Sequence, residues 1–154
     1  MFTTSVVGEI KIGIILGFTG PIKSLTPAMA DSAEIAFQEA SESGSLLDGK
    51  AITVIRADST CKNSAAASAA AKEIISQGVK AILGGVCSEV TKTVLSEAAI
   101  PNGIVMISPA ATSASLTSLD DKGFFFRTTP SETRGGQILA DITKDRRIKK
   151  VAIT

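Results

Sequence analysis

The sequence predicts an α/β domain built on a doubly wound parallel sheet, and two observations support this fold class. Short apolar segments rich in β-branched residues recur along the chain, as expected for strands that are buried on both faces. Between them, longer segments repeat apolar residues every three or four positions, which is the spacing of a helix. Alternation of strand and helix favours parallel strands joined by right-handed crossovers, with helices on both faces of the sheet.

The predicted strands are the short apolar runs, which cover residues 10–16, 52–56, 80–85, 104–107 and 150–154. Strands in a parallel sheet contact helices on both sides, so they show continuous apolar runs and not strict alternation. None of the apolar runs approaches the roughly 18 residues that a membrane-spanning helix requires.

The first two predicted helices have clear start signals. Thr26 followed by Pro27 indicates an N-cap and a first helical turn. The second helix is predicted to begin at Asn63 or Ser64 and to end at Gly78, a residue type favoured just beyond helix ends.

The third predicted helix begins at Ser88 and is stopped by Pro101 and Gly103. A fourth is predicted over residues 131–147, where isoleucine and leucine recur at helical spacing. Basic residues near its end are expected to interact with the last carbonyl groups of the helix.

Composition excludes several classes of function. The 154 residues contain 16 basic and 15 acidic side chains, so the chain lacks the positive field that nucleic acids or anionic lipids require. There is no histidine, which removes the commonest general base and transition-metal ligand. The glycine-rich dinucleotide motif and the phosphate-binding loop are also missing. We therefore expect a protein that is not an enzyme and that uses neither a cofactor nor a metal.

Ligands of open parallel sheets bind beyond the carboxyl ends of the strands, where the strand order reverses. In this chain the corresponding loops cover residues 17–25, 84–91 and 108–115, and they consist largely of small residues. Ser88 and Thr112 occupy apparent N-cap positions, where hydroxyl and amide groups could hold a carboxylate. The alternative is that both residues only cap helices.

The chain has two cysteines, Cys61 and Cys87, which follow the second and third predicted strands. Both should therefore lie at the same edge of the sheet, where they could meet. A disulfide would close a loop of about 27 residues and stabilise the fold by roughly 3 to 4 kcal/mol. The alternative from the residues alone is a pair of free buried thiols, as in a cytosolic protein.

Three stretches together resemble a known family: residues 10–21, residues 57–88 and residues 103–117, the last containing the run "ISPAAT". They are similar to the first lobe of the type I periplasmic solute-binding proteins of ABC transporters, in the branched-chain amino acid group. The similarity extends from about Ile10 to Thr154. It implies the flavodoxin-like strand order 2-1-3-4-5 and a ligand that is trapped when two lobes close on it.

The resemblance also implies roles for individual residues in ligand binding. Ser88 and Thr112 would donate hydrogen bonds to the carboxylate of an amino acid, and the Ala110 carbonyl would accept one from its ammonium group. Ala111 lies between them in the same loop. Leu25 stands where close relatives place an aromatic residue against the ligand side chain.

In that family a disulfide joins the positions of Cys61 and Cys87, which implies an oxidising periplasm. The resemblance therefore implies an exported protein whose signal sequence is absent from this chain. Its expected function is to capture a branched-chain amino acid, or a related carboxylate, for the membrane permease of an ABC importer. A ligand-sensing domain of a receptor or regulator with the same fold is the alternative, and an α/β enzyme is a third.

The same resemblance predicts how the chain is divided. Residues 1–128 would form the N-terminal lobe with the first hinge strand, which residues 123–130 match. Residues 129–154 would begin the second lobe, and the rest of that lobe, with the acidic residue that pairs with the ligand ammonium, would be absent. We expect an exposed strand edge around residues 150–154, which a second copy of the chain could cover.

Overall fold

The computed structural model describes residues 8–45 and 50–152, and its centre is a five-stranded sheet in which every pairing is parallel. The strands are β1 (Ile10–Leu16), β2 (Ile52–Asp58), β3 (Ala81–Gly84), β4 (Val105–Ser108) and β5 (Phe125–Arg127). Their order across the sheet is β2-β1-β3-β4-β5. The predicted fold class and strand order are therefore confirmed.

Helices cover both faces of this sheet, as a doubly wound fold requires. The helices are α1 (Thr26–Glu42), α2 (Ser64–Ser76), α3 (Ser88–Val94) and α4 (Glu132–Asp145), of which α1, α2 and α3 pack against the sheet. On one face, buried residues of α2 and α3 pack against Ile15 and Ile82. On the other face, Ala30 of α1 packs with Ile14 and Leu16. Adjacent strand residues thus point to opposite faces, and both faces are apolar.

The predicted start of α2 is correct. The Asn63 side chain accepts a hydrogen bond from the Ala66 N–H at 3.0 Å, which satisfies one of the free donors at the helix start. Ala67, Ala71 and Ile74 of this helix are buried. Alanines on the inner face allow the helix to pack closely against the sheet.

Thr26 does not act as an N-cap, so this part of the prediction is wrong. It is the first residue of α1, and its buried hydroxyl donates to the Gly17 carbonyl at 2.8 Å. A buried hydroxyl needs a partner, and here the loop that follows β1 supplies it. Thr26 thus joins α1 to that loop.

The third helix begins at Ser88 as predicted but is not a single α-helix. After α3, residues Leu95–Ala99 form a π-helical turn and Ile100–Asn102 a 3₁₀ turn. Pro101 has no N–H to continue the helix, and the segment ends at Asn102, before Gly103, whose φ is 64°; the predicted stop at Pro101 and Gly103 is correct.

The C-terminal part of the described chain differs from the prediction. α4 lies within the predicted range, but none of its residues is buried. Residues 150–152 of the predicted strand 150–154 have no regular secondary structure, and the last two lie outside the described residues. A strand forms where a neighbour pairs with its backbone groups, and the described residues place none there. The fifth strand is β5, which the family resemblance identified as the hinge strand.

Among residues 8–45 and 50–152, no helix is long and apolar enough to cross a membrane.

Candidate functional site

The loops that were predicted to bind a ligand follow three neighbouring strands. β1, β3 and β4 lie side by side in the sheet and run in the same direction. The loops after them therefore emerge at one edge, which we call the binding rim: residues 17–25, 85–88 and 109–117, including Ser88 at the start of α3. Strand order reverses beside β1, so this edge is the position at which open sheets bind ligands.

The structure brings Ser88 and Thr112 into neighbouring positions on this rim. Ser88 is the first residue of α3, and its hydroxyl oxygen accepts a hydrogen bond from the Ser113 N–H at 3.2 Å. The loops after β3 and β4 are thus in direct contact. The predicted convergence of these two loops is confirmed.

Neither of the two residues is an N-cap, so that interpretation is wrong. Cys87 occupies the cap position of α3, and Ser113 caps the short turn that follows Thr112. The Thr112 hydroxyl instead donates to a carboxylate oxygen of Glu132 at 3.3 Å. The Glu132 N–H in turn donates to the Thr112 carbonyl at 2.9 Å. Both hydroxyls therefore form hydrogen bonds with distant segments of the chain and do not cap an adjacent helix.

Ser108, the last residue of β4, connects two loops of the binding rim, and this role was not predicted from the sequence. Its hydroxyl is fully buried and donates to the Gly85 carbonyl at 2.6 Å. The same oxygen accepts from the N–H groups of Ala111 at 2.9 Å and Ala110 at 3.4 Å. One side chain thus links the loops after β3 and β4. A serine that ends an apolar strand is the signal that could have indicated this role.

The other predicted ligand residues are also at the rim. Ala110 is half-buried, whereas Ala111 is fully buried. The Ala111 carbonyl accepts a hydrogen bond from Arg127 at 3.3 Å. Leu25 precedes α1 and is 62% exposed, so its side chain is available to a ligand. Contact of these residues with a ligand stays a prediction.

The disulfide between Cys61 and Cys87 is present, with the two Cα atoms 5.5 Å apart. It joins the loop after β2 to the residue that precedes Ser88 at the start of α3. The backbone at Cys61 is left-handed, with φ at 58°. The alternative of two free thiols is wrong.

Asp58 holds the loop after β1 against the loop after β2. Its carboxylate accepts hydrogen bonds from the Thr19 hydroxyl at 2.5 Å, the Thr60 N–H at 2.8 Å and the Thr19 N–H at 3.2 Å. Burial raises the pKa of the Asp58 carboxyl, but the hydrogen bonds from Thr19, Thr60 and Phe18 lower it more. The pKa therefore lies below its ordinary value, because the donors favour the charged form.

We expect Asp58→Asn to lower the free energy of unfolding at neutral pH by about 1 to 2 kcal/mol, because charge-assisted hydrogen bonds are lost. The pKa of Asp58 is lower in the folded state than in the unfolded state. Its charge therefore stabilises the fold at pH values above the unfolded pKa, which is near 4, and this stabilisation is lost as the pH falls through the folded pKa. Wild type and variant should thus converge in acid, as measured by urea unfolding at several pH values.

Asp141→Asn is the matched control, because Asp141 is an exposed carboxylate on α4. The free energy of unfolding of this variant should change between neutral and acid pH by the same amount as that of the wild type. A pH-independent gap between wild type and Asp58→Asn would contradict the role assigned to the Asp58 charge.

Comparison with known proteins gives a family match and homologous structures. Residues 9–154 match the family model described as "Periplasmic binding protein". Among curated proteins, the Leu/Ile/Val-binding protein homolog 3 of Brucella melitensis is 29% identical over 153 residues, which are 99% of this chain and 40% of that protein.

Two similar solved structures contain amino acids. A substrate-binding protein of an ABC transporter from Desulfitobacterium hafniense, in complex with Leu, is 30% identical with a TM-score of 0.72, over 90% of this chain and 39% of that one. A branched-chain amino acid transporter substrate-binding protein from Streptococcus pneumoniae, in complex with isoleucine, is 28% identical with a TM-score of 0.72, over 81% of this chain and 35% of that one. The chain thus spans about two fifths of the length of its curated relatives.

Proposed function

This chain belongs to the periplasmic binding protein family, and on that premise we propose that it forms the ligand-binding first lobe of the substrate-binding component of an ABC importer. Its ligand is a small amino acid of the branched-chain type or a related carboxylate. The observation that carries this proposal is the contact between the Ser88 hydroxyl and the Ser113 N–H, which joins two ligand loops at one rim. Relatives of 28–30% identity hold leucine or isoleucine.

Ser88 is suited to bind a carboxylate because its hydroxyl donates to no group in the part of the chain that the structure describes. Its oxygen accepts the hydrogen bond from Ser113, and a hydroxyl has one further donor. In the proposed complex this proton is donated to the ligand carboxylate. The hydrogen bond from Ser113 polarises the hydroxyl and strengthens it as a donor.

Thr112 is the second proposed donor to the ligand carboxylate. Its single hydroxyl proton already points at the Glu132 carboxylate, at 3.3 Å. When the ligand binds, its carboxylate replaces that of Glu132 as the acceptor, so the kind of hydrogen bond does not change. The Ala110 carbonyl accepts from the ligand ammonium, while Leu25 and Ala111 complete the surface that faces the ligand.

The chain as a whole is proposed to work with a second lobe and a permease. We assign residues 1–128 to the first lobe and residues 129–154 to the start of the second. The absence of buried side chains on α4 supports this boundary. The Cys61–Cys87 disulfide supports a periplasmic location, because such bonds persist in oxidising compartments. One lobe alone should bind weakly, since lobe closure buries the ligand on both sides.

We expect Thr112→Val to weaken the binding of L-leucine by about 1 to 3 kcal/mol, because a charge-assisted hydrogen bond to the carboxylate is lost. Valine has nearly the shape of threonine, so the loop is preserved. The measurement is a titration of the chain with L-leucine, L-isoleucine and L-valine, followed through the backbone amide resonances of the rim by NMR.

Thr143→Val is the matched control, because Thr143 is a half-buried residue of α4 whose hydroxyl donates only to the Leu139 carbonyl among the described residues. It should bind L-leucine like the wild type. If none of the amino acids moves the amide resonances around Ser88 and Thr112 in the wild type, the proposed function is wrong.

A further inference from the structure

Arg127 connects the hinge strand to the loop that carries Thr112. It is the last residue of β5, where it pairs with Ser108 of β4, and its side chain is half-buried. Its guanidinium donates to the carbonyls of Ala111 at 3.3 Å and Ser113 at 3.0 Å. It also donates to the Thr117 hydroxyl. Arg127 therefore contacts the peptide group that precedes Thr112 and, one residue beyond Thr112, the carbonyl of Ser113.

These contacts determine the direction of the Thr112 N–H. In a trans peptide unit the carbonyl and the N–H point to opposite sides. The carbonyl of the peptide between Ala111 and Thr112 points to Arg127, so the N–H of Thr112 points away from Arg127. The adjoining peptide groups are also held, since the Ala111 N–H donates to Ser108 and the Ser113 N–H donates to Ser88. The peptide before Thr112 thus has one orientation.

Arg127 also contributes charge at this position. Its partners are two carbonyls and a hydroxyl, all neutral, and in the described part of the chain no carboxylate lies within ion-pairing distance of it. A guanidinium that binds a carbonyl polarises the whole peptide group and strengthens the N–H at its other side as a donor. The charge therefore favours an anionic acceptor at the Thr112 N–H.

We propose that Arg127 is a positioning residue for ligand binding: it does not touch the ligand, but it orients and polarises the Thr112 N–H so that this group donates to the ligand carboxylate. The proposal rests on the proposed function of the rim and deepens it. It also makes the hinge strand part of the binding machinery.

The first test is made without ligand, on the isotopically labelled chain. Residual dipolar couplings report the orientation of each N–H bond, and we compare wild type with Arg127→Met and Arg127→Lys. Methionine removes both the donors and the charge. Lysine keeps the charge but lacks the planar fork that reaches two carbonyls. We expect the Thr112 N–H to reorient in both variants while couplings in β1 and α2 stay unchanged.

The second test uses L-leucine as the probe. We expect the dissociation constant to rise about tenfold in Arg127→Met, and by a smaller factor in Arg127→Lys, which keeps the polarising charge. Arg146→Met is the matched control, because Arg146 is an exposed residue at the end of α4. It loses the same charge far along the chain from the rim loops and should bind like the wild type.

The outcomes separate this proposal from the proposed function. An unchanged Thr112 N–H orientation in Arg127→Met, or L-leucine affinity within about twofold of wild type, overturns the role of Arg127. If none of L-leucine, L-isoleucine and L-valine binds the wild type, the proposed function fails, and the ligand-free couplings still decide whether Arg127 orients the peptide. If Arg127→Met does not fold, both tests are made with Arg127→Lys and Thr117→Val. The Thr117→Val substitution removes one of the groups that hold the guanidinium.

Discussion

We expect Gly84→Ala to lower the free energy of unfolding by about 3 kcal/mol or more, because backbone strain and a steric clash add. Gly84 ends β3 with φ at 146°, a conformation that residues with a side chain rarely adopt. A Cβ atom built there would lie 2.1 Å from the carbonyl oxygen of Ile15 in the neighbouring strand β1. Because that oxygen belongs to β1, which is paired with β2 on one side and β3 on the other, it cannot move without disturbing the core.

Gly78→Ala is the matched control for this prediction. Gly78 also has a positive φ, 91°, but a Cβ atom there would meet nothing within 4 Å. Its replacement should therefore cost about 1 to 2 kcal/mol, from backbone strain alone. Guanidinium unfolding of both variants measures the difference. Equal losses in the two variants would show that the contact with Ile15 is relieved without penalty.

Loss of the Cys61–Cys87 disulfide should lower the free energy of unfolding by about 3 to 4 kcal/mol, because the unfolded chain gains the entropy of an open loop. The two residues are separated by 26 positions. The bond also ties the start of α3 to the loop after β2, so its removal should broaden the amide resonance of Ser88. Urea unfolding of the oxidised chain and of the double variant Cys61→Ala/Cys87→Ala measures this difference in the free energy of unfolding.

The control for the disulfide is the double variant itself treated with a reductant. These are the two cysteines of the chain, so the reductant should shift the unfolding midpoint of the wild type and leave that of the double variant unchanged. An unfolding midpoint of the oxidised wild type equal to that of the double variant would contradict the stabilising role of the bond.

The strands and helices of the sheet core were predictable because their signals are local. The apolar run of β1 indicated a strand buried on both faces, and Asn63 indicated the start of α2. Both signals depend on residues that lie next to one another in the chain. The strand predicted at 150–154 was less secure, because an apolar run of that length forms a strand where a neighbour pairs with it.

The hydroxyls of the rim were harder to predict. Ser88 and Thr112 look like N-caps in the sequence, because a serine or threonine before a helical pattern usually binds the backbone nearby. In the fold, Ser88 accepts a hydrogen bond from Ser113, which is 25 positions away, and Thr112 donates to Glu132, 20 positions away. Such partners are determined by which loops the sheet brings together.

Local patterns of apolar and cap residues, read along the chain, were sufficient to establish the parallel α/β fold and the edge at which its loops meet. The likeness to a family added the strand order and the pairing of Cys61 with Cys87. Only the tertiary structure showed that Ser108 and Arg127 hold the loop around Thr112. The physical reason is that apolar periodicity acts over a few neighbouring residues, whereas a buried polar group takes whichever partner the packed elements place within hydrogen-bonding distance.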